Sequence, residues 1–328
     1  MVDYNPEFLE LVDPELREAA LFMRETTAAF TPMTWEKLAK RREWTSGGAQ
    51  PPRPDVPYTE HFVPRLGCPS DPGEVRVYAV NAKPDEAGPG ILHIHGGGFT
   101  ASTAANSLPM VQGIALELDV PIVTVDYRLA PETTYAGSLE DNYSALLWAV
   151  ANAGQLGIDP SRIAVLGESA GGGHAALLTL AARDRSEVQL AYQALVYPML
   201  DDRAGTSRQL PEHVGYFGWN PEANRFGWES FLGMAPGGED VPAAAVPARV
   251  DDLTGLPPAF ICCGALDLFV DEDIAYASRL LAAGVPTELL IVPGAFHGFD
   301  MFVPDAAISR RFSAAKLDAL RRGLGLAC

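Results

Sequence analysis

"RIAVLGESAGGGHAALL", residues 162–178, runs from a short apolar stretch through a glycine-bracketed serine into a second apolar stretch. The first part reads as a strand ending at Gly167, and the second as a helix beginning near Ala170. Between them stands Gly167-Glu168-Ser169-Ala170-Gly171, a G-x-S-x-G pattern. So tight a strand-to-helix turn needs glycine on both sides of the serine, because neighbouring β-carbons would collide. The turn lifts the serine oxygen onto the N-terminus of the helix, where the dipole favours developing negative charge.

The surrounding text repeats the strand-then-helix alternation. "TEHFVPRL", "EVRVYAV", "GILHIH", "PIVTVDY", "RIAVLG", "QLAYQALVYP", "PAFICCG" and "TELLIVPG" read as strands. "SLPMVQGIALELD", "SLEDNYSALLWAVANAG", "AGGGHAALLTLAARD" and "DEDIAYASRLLAAG" read as helices between them. Such spacing predicts right-handed crossovers and a mostly parallel central sheet flanked by helices, with functional residues just past the strands' C-terminal ends. Residues 1 to about 45 read as two short amphipathic helices, and "SGGAQPPRPDVP" as a connector, because glycine and proline interrupt a helix. An unusually long stretch, about residues 201–255, is rich in aromatics and contains the helical "NPEANRFGWESFLG". We expect residues 1–57 and this insertion to form a helical cap on a catalytic domain spanning 58–328.

A serine hydroxyl needs a base. His297 follows the last strand in the glycine-flanked loop of "TELLIVPGAFHGFD". His174 lies along the helix, facing away from the turn, and His61 and His213 have no strand-end setting. The histidine in turn needs an acid, and Asp267 is in the loop immediately beyond "PAFICCG". Asp271, Glu272 and Asp273 fall at a helix start, where acids cap free N–H groups. The expected triad is Ser169, Asp267 and His297, and its chain order is that of an α/β-hydrolase. Attack on an ester carbonyl creates an oxyanion, which requires fixed N–H donors. "HIHGGGFT", residues 93–100, offers the amides of Gly97 and Gly98, and Ala170 offers a third. His95 is expected to brace that loop and His93 to be a buried, hydrogen-bonded residue. His93-x-His95 lacks a third ligand, so no metal is expected. No cofactor is expected either. Phe99, Tyr216, Phe217, Trp219 and Phe299 are the expected pocket residues, with Phe8, Leu9, Phe22 and Met23 behind them.

"HGGGF", "DYRLAPE", "GESAGGG", "YPMLDDR", "GALDLFVDED" and "GAFHGF" together resemble the bacterial hormone-sensitive-lipase-like esterases, from about residue 60 to 325. The resemblance implies a carboxylic ester hydrolase of the α/β-hydrolase fold, with the same three residues as triad. The chain departs from the family pattern in having Glu168 where many relatives carry Asp, and "TTYAG" after "DYRLAPE". Within "DYRLAPE", an internal ion pair of Arg128 and Glu132 is expected. The competing readings are a non-catalytic small-molecule receptor on the same scaffold, and hydrolysis of amides or lactones. Receptors of that kind typically lose a triad member, and here all three are present.

Composition fits this picture. The chain has 328 residues, 48% of them hydrophobic, and a formal net charge of −18. So acidic a surface repels nucleic acid and anionic membranes, and neither is an expected partner. The four cysteines, Cys68, Cys262, Cys263 and Cys328, show no disulfide framework. No targeting or membrane-spanning segment is visible. The expected partner is a small ester, the setting cytoplasmic, and a homodimer is compatible with the reading.

Overall fold

The computed structural model describes residues 4–48, 50–66 and 72–327; Cys68 and Cys328 lie outside them. In chain order the elements are α1 (Pro6–Glu10), α2 (Arg17–Phe30), α3 (Trp35–Gly47), β1 (Tyr58–Pro64), β2 (Glu74–Val80), β3 (Gly88–Ile94), α4 (Ala104–Leu118), β4 (Ile122–Asp126), α5 (Tyr135–Ala151), α6 (Ala153–Leu156), β5 (Ile158–Glu168) and α7 (Ala170–Arg185). They continue with β6 (Tyr192–Val196), α8 (Pro221–Leu232), β7 (Ala259–Gly264), α9 (Val270–Ala282), β8 (Thr287–Val292), α10 (Phe299–Phe302) and α11 (Ala307–Leu324). All eight expected strands form. The N-terminal region differs from expectation: three α-helices and a 3₁₀ turn (Pro14–Leu16) replace two helices, and α3 extends into the expected connector. Thr34 starts α3 by accepting from the Lys37 amide, and the helix ends at Gly47 with Gly48 as its C-cap.

The strands form one sheet in the order β1-β2-β4-β3-β5-β6-β7-β8. β2 pairs antiparallel with both β1 and β4, and every other pairing is parallel. Successive residues of a strand point to opposite faces. Ile91, Ile122, Ala164 and Leu166 therefore pack with Leu108 and Val111 of α4 and Phe312 and Leu320 of α11. Leu92, Val123 and Val165 pack on the other face with Leu146 of α5, Leu178 of α7 and Leu280 of α9. Both faces are covered, which is why the strands read as near-continuous apolar runs.

The N-terminal helices and the 201–255 segment lie against each other. The Asn5 amide donates to Tyr216 Oη at 2.7 Å, and Thr27 Oγ1 donates to the Gly218 carbonyl at 2.8 Å. The Phe8 and Tyr216 rings meet edge-to-face at 4.9 Å, and the Arg24 guanidinium lies 3.7 Å over Tyr216.

Candidate active site

The turn after β5 is as tight as its glycines imply. Ser169 sits at φ 57° and ψ −122°, a conformation an L-residue adopts only under restraint. Its amide donates to the Val196 carbonyl at 2.9 Å, and its own carbonyl accepts from Gly173 and Met199. A β-carbon at Gly167 would overlap the Gly171 carbonyl, and one at Gly171 would overlap the Ile94 carbonyl. Side chains at either position would force the turn open.

The loops after β7 and β8 bring two further side chains to this serine. His297 Nε2 is 2.9 Å from Ser169 Oγ, and His297 Nδ1 is 2.7 Å from Asp267 Oδ2. The other oxygen of Asp267 accepts from the Phe269 amide at 3.0 Å, which fixes the carboxylate plane. Asp267 is fully buried, Ser169 is 8% exposed, and the His297 side chain 13%. The imidazole is packed on both sides: Tyr197 meets it edge-on at 4.8 Å and Phe269 at 5.1 Å. With Nδ1–H donating to the carboxylate, Nε2 is left as an acceptor for the serine hydroxyl, which is what proton removal from Ser169 requires.

The HGGG loop abuts this turn. Gly97 has φ 125°, and a β-carbon there would overlap the Ala101 carbonyl. The N–H groups of Gly97 and Gly98 donate to no protein acceptor among the described residues. Ala170 is the first residue of α7, where helical N–H groups have no partner within the helix. His95 braces the loop, as expected: Nδ1 lies 2.7 Å from the Gly96 carbonyl oxygen, and the ring stacks on Tyr127 at 4.3 Å. His174 is fully buried among the rings of Phe99, Tyr127 and Phe231, away from the serine.

Four expectations need correction. Asp271, Glu272 and Asp273 do not cap α9, which has no side-chain cap. Glu272 instead accepts from the amides of Leu200 and Asp201, Asp273 is wholly buried, and Asp271 lies 3.6 Å from Arg208. Arg128 and Glu132 do not pair with each other: Arg128 binds Asp141, and Glu132 takes a two-pronged grip from Arg42 on α3. Of the pocket residues, Trp219 stands against Gly98 and 6.5 Å from the His297 ring, and Tyr216 is half-buried. Phe99, Phe217 and Phe299 are core residues, Phe99 stacking on Phe231 at 3.9 Å. Phe22 is 56% exposed and backs nothing, because the buried stripe of α2 passes through Ala20 and Met23. Two surface hollows of about 390 and 410 Å³ lie at the opposite, N-terminal end of the parallel strands, lined by residues such as Val188 and Pro257, and Pro84 and Gln155.

Beneath the serine lies a polar network of which only His93 was expected. His93 lies 2.7 Å from Thr124 Oγ1 and 2.9 Å from Glu168 Oε2. Lys316 Nζ, on α11, is 3.7 Å from Asp300, whose other oxygen accepts from Tyr197 Oη at 3.1 Å. Burial alone would raise the Glu168 carboxyl, but His93 and Lys316 outweigh it and hold it below the usual range. Burial likewise pulls the Lys316 ammonium down, yet Asp300 and Glu168 hold it above its ordinary value. A lowered acid stabilises the fold above its unfolded pKa, and a raised base below its own, so the network contributes fully between about pH 5 and pH 10. Glu168→Gln removes the charge that Lys316 and His93 face, and should cost about 3 kcal/mol at pH 7, with the difference from wild type shrinking below about pH 4. Urea unfolding at the two pH values measures this.

Comparison with known proteins agrees with the geometry. Residues 91–301 match the family described as alpha/beta hydrolase fold. Carboxylesterase NlhH of Mycobacterium tuberculosis is 36% identical over 259 residues, 76% of this chain and 78% of the relative. The chain is an alpha/beta hydrolase of the hormone-sensitive-lipase-like family. Ethyl acetate hydrolase of Pseudomonas putida is 33% identical over 66% of this chain and 67% of its own. Among solved structures, a bacterial heroin esterase superposes on this hydrolase with a TM-score of 0.80 at 39% identity, covering 96% of this chain and 99% of that one.

Proposed function

We propose that this carboxylic ester hydrolase works through an acyl-enzyme, with Ser169 as nucleophile, His297 as general base and then acid, and Asp267 as the group that orients the imidazole. What supports the reading above all is the unbroken Ser169–His297–Asp267 hydrogen-bond chain, at 2.9 and 2.7 Å. His297 Nε2 takes the Ser169 proton as Oγ bonds to the ester carbon. The carbonyl electrons move onto oxygen, which is met by the amides of Gly97, Gly98 and Ala170 at the positive end of α7. As the tetrahedral intermediate collapses, His297 returns the proton to the departing alcohol. Water then repeats the sequence on the acyl-Ser169 ester and frees the acid. A phosphonate or sulfonyl fluoride should label Ser169 alone; label on another residue overturns the assignment.

The substrates in this reading are dissolved esters with short to medium acyl chains. Resemblance to a relative named for ethyl acetate supports this, as does Trp219, whose indole stands against Gly98 and 6.5 Å from the His297 ring. Residues 1–57 and 201–255 act as the cap over the catalytic domain of 58–328, a division supported by their mutual contacts through Tyr216 and Gly218. Acyl chains of about two to eight carbons should react best, by the typical volume of such sites. A series of p-nitrophenyl esters beside an emulsified long-chain triglyceride tests this. A faster rate on the emulsion, jumping at the solubility limit, would make the protein a lipase instead.

A cytoplasmic setting without nucleic-acid or membrane partners is supported by the net charge of −18 and by buried, free Cys262 and Cys263. No helix among the described residues is long and apolar enough to cross a membrane. A homodimer is supported by the open edge of β8, where Leu289 is 37% exposed.

A further inference from the structure

Two consecutive arginines of α3 reach across about sixty residues of sequence to the HGGG loop. Arg42 Nε donates to the Thr100 carbonyl at 2.7 Å, and its Nη2 to the Ala130 carbonyl at 3.0 Å. Arg41 is placed differently. Its Nη1 donates to Thr100 Oγ1 at 3.1 Å and its Nη2 to the Gly97 carbonyl at 3.4 Å. That carbonyl already accepts from the Thr100 and Ala101 amides, at 3.2 and 3.1 Å. The half-buried guanidinium also lies 5.0 Å from the ring centre of Trp219, the indole that stands against Gly98. Among the described residues no carboxylate pairs with Arg41, whereas Arg42 is held by Glu132.

The Gly97 carbonyl and the Gly98 N–H belong to one planar peptide unit, and in a trans peptide they point in opposite directions. Three donors on the carbonyl fix which way the N–H faces. A cation among them also polarises the unit, because a hydrogen bond at one end of an amide strengthens the dipole at the other. Burial, with Arg42 next to it, lowers Arg41 to about 10, so it remains a cation at neutral pH. Its field is not cancelled by a neighbouring acid.

We propose that Arg41 is a positioning residue for oxyanion stabilisation: by donating to the Gly97 carbonyl it aims the Gly98 N–H and strengthens it as a donor to the tetrahedral intermediate. The inference rests on the reading of Ser169 as nucleophile and of Gly98 as an oxyanion donor. It gives the N-terminal segment a part in the chemistry that a covering helix alone would not have.

The test compares Arg41→Ala, Arg41→Lys and Arg42→Ala in the full chain, on p-nitrophenyl butyrate. An aryl trifluoromethyl ketone, which forms an oxyanion adduct with a nucleophilic serine, is the probe of the transition state. Direct loss of an oxyanion donor costs roughly 10²- to 10³-fold, so an indirect contribution should be about 10- to 100-fold. Arg41→Ala should lose that factor in kcat with KM within about twofold, and lose the same factor in ketone affinity. Arg41→Lys, which keeps the charge without the fork, should fall between, and methylguanidine should restore part of the Arg41→Ala rate. Arg42→Ala should lower the unfolding midpoint and leave kcat within about threefold, since its hydrogen bonds among the described residues go to Thr100, Ala130 and Glu132 and not to the Gly97–Gly98 peptide. An unchanged kcat in Arg41→Ala overturns the inference, as do a loss confined to KM, a kcat loss without matching loss of ketone affinity, or an equal kcat loss in Arg42→Ala. Should Arg41→Ala fail to fold, Arg41→Lys reads the same kcat and ketone ratio. If Ser169→Ala keeps its activity, the site reading itself fails; if Ser169→Ala is inactive while Arg41→Ala matches wild type, only this inference does.

Discussion

Ser169→Ala should lower kcat on p-nitrophenyl butyrate by about 10⁵- to 10⁶-fold, the scale set when a triad nucleophile is removed from a serine hydrolase. Among the described residues the hydroxyl makes one hydrogen bond, to His297 Nε2 at 2.9 Å. The strained turn is held by backbone contacts of Ser169 with Val196, Met199 and Gly173, all of which alanine retains. Activity and stability should therefore separate cleanly: turnover disappears while the urea midpoint stays near wild type. A variant that keeps a substantial share of wild-type turnover would mean that another group carries the acyl transfer.

Asp267→Asn should cost about 10⁴-fold in kcat, by the precedent of the serine proteases. The local hydrogen bonds determine how the amide must sit. Asp267 Oδ1 accepts from the Phe269 amide at 3.0 Å, so the asparagine oxygen keeps that place and the NH₂ group turns toward His297 Nδ1. An NH₂ there needs an acceptor, which moves the imidazole proton to Nε2, the nitrogen that must receive the serine proton. Asp271→Asn, at an exposed carboxylate 3.6 Å from Arg208, should leave kcat within about twofold. If the Asp271 change proved the damaging one, the acid would be wrongly assigned. Steady-state kinetics on both variants, at the pH of maximal rate, distinguish them.

The inner strands were legible because they are buried on both faces and read as apolar runs ended by loop residues, as in "RIAVLG" and "PAFICCG"; the edge strands β1 and β8, far more exposed, were legible from their alternation and their place between turns. Ser169, Asp267 and His297 were legible for a related reason: each stands just past a strand end, in a motif whose glycines have a geometric purpose. What the sequence did not reveal were partners brought together only by folding. Nothing in "LAKRREW" marks Arg41 and Arg42 as neighbours of the HGGG loop, and nothing near Lys316 points to Asp300 or Glu168. The acids of "VDED" have the pattern of helix caps, yet burial draws Glu272 toward the amides after β6 instead. Arg128 sits four residues from Glu132, but Asp141 of α5 is better placed to hold its guanidinium. Ala307–Leu324 carries no glycine-bracketed motif to mark it, and its place against one face of the sheet is set by packing of Phe312 and Leu320 with residues distant in the chain.

The three side chains of the proposed triad follow β5, β7 and β8, and β6 lies between the first two. Ser169 and His297 are 128 positions apart along the chain. A refolding polypeptide therefore cannot assemble half a site: hydrolysis waits until the last parallel strand has docked in register. Parallel pairings close long loops and form slowly, so secondary structure should return well before turnover does. During that interval unpaired strand edges are exposed to other chains. Recovered activity, rather than helical content, is the measure of complete assembly, and its yield should fall as protein concentration rises.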